Sequence, residues 1–151
     1  MSLRVHALEG AMVSTEKGVS KLLTVYSQGA EDTQVFVLSP VRNPELSFDK
    51  LLSAAEAHEA SLWTRLEKNH HVWKELVASN ISSEKEAVVA SEIDGAFEEV
   101  RDVLKAVWIL GDKSGAAPDH LEALTSKFLA KILSARFNDE GAAAAVYSPE
   151  T

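Results

Sequence analysis

The chain has 151 residues, 46% of them hydrophobic and 25% charged, with a formal net charge of −8 and no cysteine. That is the composition of one globular domain with enough length for a real core. A disulfide framework, a thiolate zinc site and a cysteine nucleophile are excluded, and the acidic balance disfavours nucleic acid, whose phosphates need clustered Lys and Arg. No apolar run approaches the ~20 residues of a membrane span, and Met1–Gly10 lacks the pattern of a signal peptide, so a cytoplasmic protein is expected.

Leu3–Leu8 alternates weakly, Leu3, Val5 and Ala7 against Arg4, His6 and Leu8, as expected of a strand with one face better covered than the other. After Gly10 the spacing predicts a helix over Thr15–Ser27 carrying Val19, Leu22, Leu23 and Tyr26, with Ser14 or Thr15 as N-cap, ended by Gly29–Thr33. Gln34–Ser39 (QVFVLS) is a short apolar, β-rich run that predicts a strand buried on both faces. Pro40–Pro44 is a loop, and a long helix is expected from there to about Asn69, with Leu51, Leu52, Ala55, Leu62, Trp63 and Leu66 on one face; Val72, Trp73, Leu76 and Val77 extend the stripe past His70 and His71.

Ser83–Glu86 fits a capping box opening a helix with Ile93, Phe97, Val100, Leu104 and Val107 on its stripe, closed by Gly111. Pro118 starts a last helix with Leu121, Leu124, Phe128, Leu129, Ile132 and Leu133 on one face, and Gly141 stops it. Ala142–Tyr147 suits helix or strand by propensity; the preceding glycine and Val146-Tyr147 favour a short strand. The element order implies an α/β fold: a small parallel sheet of about three strands with many helices packed around it, narrow enough to look like half of a larger architecture.

In their order and spacing, Val35–Ser39 (VFVLS), Asp49–Leu52 (DKLL), Leu66–Val77, Val103–Gly111 (VLKAVWILG) and Leu129–Val146 resemble the N-terminal part of the kinase domain of aspartokinases, including aspartokinase–homoserine dehydrogenases. The likeness spans nearly the whole chain and implies the N-terminal half of the amino-acid kinase (carbamate-kinase-like) fold. The family's nucleotide corner reads Lys-Phe-Gly-Gly-Thr-Ser, in which lysine and backbone N–H groups hold phosphate. Here lysine becomes Ala7, the first glycine Glu9, threonine Ala11 and serine Met12, and only the second glycine is kept, as Gly10. A carboxylate about 4 Å from a phosphate charge is repelled by roughly 4 kcal/mol at an effective dielectric near 20.

On the substrate side the resemblance implies that Ser39 is retained, that the family's threonine before Asp-x-Leu-Leu has become Phe48, and that its Gly-Glu pair, whose glutamate contacts the substrate amine, falls on Thr125-Ser126. The family's domain continues past the position of Thr151, so its adenine-binding half is expected to be missing. ATP and aspartate binding are therefore not expected, and neither is a cofactor. The implied role is a catalytically inactive aspartokinase-like domain acting through protein contacts, as a homo-oligomer or a regulatory companion in aspartate-family amino-acid metabolism. The alternatives are a fragment that completes an active site with another chain, drawing on Gly10 and Ser39, and an unrelated α/β interaction module that uses a sheet edge.

Three sharper motifs are set aside. Gly10–Gly18 (GAMVSTEKG) places Thr15 and Glu16 where a phosphate loop needs glycine and lysine. His71 and Glu75 at i, i+4, like His58-Glu59, are better read as solvated helix surface than as metal ligands, because no third ligand accompanies them. Ser14 or Ser39 as a nucleophile has only His6 near it in sequence as a base. Trp63, Trp73 and Trp108 are core or interface anchors.

Overall fold

The computed structural model describes residues 2–10, 14–82 and 84–147. In chain order its elements are β1 (Leu3–Leu8), α1 (Glu16–Ser27), β2 (Thr33–Leu38), α2 (Asp49–Glu56), α3 (Leu62–Asn80), α4 (Lys85–Leu110) and α5 (Ala117–Asp139). The fold is α/β: five helices and a parallel pair of strands among the described residues, in a register running from Leu3 opposite Thr33 to Leu8 opposite Leu38. The β1–α1–β2 crossover follows from the two short apolar runs with an amphipathic segment between them; Thr15 caps α1 by accepting the Gly18 N–H at 3.1 Å.

The sheet has two strands where three are expected, because Ala142–Tyr147 forms none. After Gly141 turns the chain at φ 89°, the Asn138 side chain occupies both backbone groups of Ala144, donating to its carbonyl at 3.0 Å and accepting its N–H at 3.1 Å. A side chain of α5 thus takes the place of a neighbouring strand, and the alanines offer little side-chain contact to compete. Nor is β2 buried on both faces: Val35 and Val37 are 42% and 53% exposed. Only the inner face is covered, where His6 stacks on Phe36 at 4.8 Å and Phe36 on Phe137 of α5 at 5.3 Å.

The long helix expected from Pro44 to Asn69 is broken in two. His58 adopts φ 54°, and the Glu59 N–H reaches back to the Ala54 carbonyl at 2.9 Å, so the chain leaves α2 and re-enters a helix at Leu62. Glu56–Ser61 (EAHEAS) contains no large apolar residue, so no apolar stripe continues the helix through that turn. His58 and Glu59 therefore lie in an interhelical turn instead of on a helix face, with the His58 ring against Trp108 at 5.2 Å. The capping box proposed at Ser83 lies outside the described residues; α4 runs from Lys85 and ends as expected at Gly111, φ 65°.

The core sits among α2 to α5. Trp73 and Phe128 are 0% and 2% exposed and meet edge to face at 5.2 Å, while Phe97 stacks on Phe128 at 5.9 Å. Of the three tryptophans, Trp73 is core; Trp63 and Trp108 are half-buried and 6.1 Å apart at the periphery, with the Arg101 guanidinium 5.8 Å over Trp63. No helix among the described residues is long and apolar enough to cross a membrane.

Candidate functional site

The ends of β1 and β2 meet. The Ser39 N–H continues the ladder by donating to the Leu8 carbonyl at 2.9 Å, which brings the turn after β1 against the turn after β2. Gly10 is buried in that contact. A Cβ there would stand 2.9 Å from the carbonyl oxygens of both Ser39 and Pro40 and 3.0 Å from the Val41 Cα. Only glycine lets the two backbones approach so closely. Glu9, beside it, is exposed and makes no ion pair among the described residues. Ala7 is exposed on the outer side of β1, and Ala11 and Met12 lie outside the described residues.

The chain from Val41 to Asp49 is then pinned to two helices. From α3, the Asn69 amide donates to the carbonyls of Glu45 and Ser47 at 3.0 and 3.1 Å, and the Trp73 indole N–H donates to that of Leu46 at 3.0 Å. From α5, the Thr125 hydroxyl accepts the Val41 N–H at 3.2 Å and donates to the Glu122 carbonyl at 2.7 Å. Thr125 is the polar member of an otherwise apolar stripe, 1% exposed, and both its hydrogen-bonding capacities toward backbone are used.

Between these supports lies a cleft of about 330 Å³, walled by Phe48 and Thr125 with Arg42, Asp49 and Glu122 at its rim. Of the three positions that the family resemblance marks for substrate, only Phe48 lines this cleft; Ser39 stays with Gly10 at the strand ends, and Ser126 lies one residue past Thr125, off the wall. The Phe48 ring is 2% exposed and packs edge to face on Phe97 at 5.8 Å and on Phe128 at 6.5 Å, so the position carries core packing where the family carries a hydroxyl. Of the rim charges, Asp49 stood in the DKLL match, whereas Arg42 and Glu122, from a loop and a distant helix, carry no local signal that joins them to it; Thr125 shows itself as the lone threonine within the Leu121–Phe128 stripe.

Chemically the cleft offers one guanidinium against two carboxylates, with a further carboxylate at Glu9 on the neighbouring corner. His6, the one histidine near Ser39 in sequence, faces the inner sheet, where its Nε2 lies 3.0 Å from the Gln34 side-chain oxygen. His71 and Glu75 form an exposed 3.2 Å pair, while His70 stacks on Phe97 at 4.1 Å with Asp94 at 2.6 Å. Among the described residues no group of three or more His, Asp or Glu is placed to hold a metal ion. Asp32, just ahead of β2, lies at the end of the sheet away from this corner; there the Ser2 hydroxyl and amide, and then the Arg4 guanidinium at 2.6 Å, hold its carboxyl below the usual aspartate range. Compared with known proteins, the chain matches no family model and no curated protein sequence.

Proposed function

We propose that the chain is a non-catalytic protein-contact module built on the plan of the N-terminal part of an aspartokinase domain. The observation that carries this reading is the outer face of the sheet, where Leu3, Val5, Val35 and Val37 stand 65%, 64%, 42% and 53% exposed on one continuous surface. Parallel strands are normally covered on both faces, so an apolar sheet face that the described residues leave bare supports a role in contact with another chain. The neighbouring corner supports the same reading. Gly10, the one retained residue of the family's nucleotide turn, is occupied in backbone packing, and the charge beside it is an exposed carboxylate.

The companion is another copy of the chain or an enzyme of aspartate-family amino-acid metabolism, and neither ATP nor aspartate is a ligand. Isothermal titration with Mg-ATP and with aspartate tests this: no heat of binding is expected, and micromolar affinity for either refutes it. Native mass measurements at several protein concentrations then separate self-assembly from dependence on a second protein.

A further inference from the structure

The outer face of the sheet has a size and a charge pattern that select one kind of occupant. Its six outward residues, Leu3, Val5, Ala7, Thr33, Val35 and Val37, follow from the parallel register and carry no charge. Two strands about 4.8 Å apart and six residues long present a strip about 20 Å long and 10 Å wide, the footprint of a single helix of about 13 residues. The helices of this chain reach the sheet from the opposite side, through His6, Phe36 and the ring of Phe137, so the layer that would complete the sheet is a helix. Acid marks both ends of the strip: Glu9 lies one residue past β1 and Glu31 two residues ahead of β2, both exposed. A second copy of the chain would bring the same carboxylates and another −8 of net charge to this face, which opposes a face-to-face dimer.

We infer that the strip is the docking surface for an amphipathic helix of a partner protein, with an apolar stripe about three turns long and Lys or Arg at each end to meet Glu9 and Glu31. This rests on the reading of the chain as a protein-contact module and names the chemistry of its partner. The strip covers only about 200 Å², far below the ~800 Å² per partner of a standard interface, so a lone helix binds weakly and the rest of a partner supplies the remaining affinity.

The test is an NMR titration of the ¹⁵N-labelled full chain with the peptide KKLQALLQALLQALKK, whose leucines form one helical stripe between basic ends. Shifts are expected on β1 and β2, with a dissociation constant on the order of 100 μM. A peptide with the leucines redistributed around the helix, and one with Glu in place of every Lys, should each bind about tenfold more weakly, and added salt should weaken the original peptide. Val5→Thr, Val35→Thr and Val37→Thr combined keep strand propensity and exposed shape, so the variant folds, as circular dichroism checks, and it should lose about tenfold in affinity. Glu9→Lys with Glu31→Lys should weaken binding and flatten its salt dependence. Unchanged affinity in the threonine variant, or equal binding of the redistributed peptide, overturns the inference. A native-mass dimer that dissociates in the threonine variant would also overturn it, by making a second copy the occupant, yet leave the protein-contact reading standing; only Mg-ATP or aspartate binding removes that reading.

Discussion

Replacing Gly10 by alanine separates a packing glycine from a phosphate-binding one. The added Cβ would meet two backbone carbonyl oxygens at 2.9 Å and a Cα at 3.0 Å, where ordinary contact begins near 3.4 Å. None of these is a flexible side-chain end, so the turn after β1 has to move away from Ser39–Val41. Overpacking of this kind costs about 1–3 kcal/mol. For a chain of this length that lowers the melting temperature by roughly 3–10 °C. Gly95 supplies the opposite control: it lies inside α4 with nothing within 4 Å of the Cβ position, so Gly95→Ala gains helix propensity and should add about 1 kcal/mol, or roughly 2–4 °C. Thermal and urea unfolding of both variants, followed by circular dichroism, gives the two signs directly. A Gly10→Ala protein that melts with the parent would show that the two strand-end turns do not touch as described, and the packing account of Gly10 would fail with them.

The cleft and the strand clasp yield three more expectations. Thr125→Val leaves the Val41 N–H without its acceptor and should cost about 1–3 kcal/mol in urea unfolding, whereas Ser126→Ala, next to it on the helix, should stay within about 0.5 kcal/mol of the parent. Phe48→Thr installs the residue that aspartokinases carry at the position the resemblance aligns here but removes the ring that packs edge to face on Phe97 and Phe128; a loss of about 3–5 kcal/mol is expected, with no aspartate binding gained by calorimetry. Because the Asp32 carboxyl is held below its usual range in the folded chain, its contribution is full above the unfolded-state pKa and is lost as pH falls through the lower folded-state value. Asp32→Asn should therefore be less stable than the parent at neutral pH, with the gap closing in strong acid.

The helical stripes, the two strand segments and the glycine stop after α4 were all legible in the sequence, because each depends on spacing within a dozen or so neighbouring residues. Val89, Ile93, Phe97, Val100, Leu104 and Val107 can share a face only if the chain is helical, and Gly111 accepts the left-handed conformation at little steric cost. What lay beyond local spacing was decided by tertiary contacts. Asn138 closing on Ala144 left the sheet two strands wide, and the lack of an apolar stripe through EAHEAS let His58 break one expected helix into two. Thr125 reaching 84 positions back to Val41 built the cleft, and Gly10 became a packing residue only once Ser39 and Pro40 lay against it. Periodicity states which residues want to be buried; which partner buries them is settled by long-range packing that no local window contains, and for Leu3, Val5, Val35 and Val37 the described chain supplies no cover.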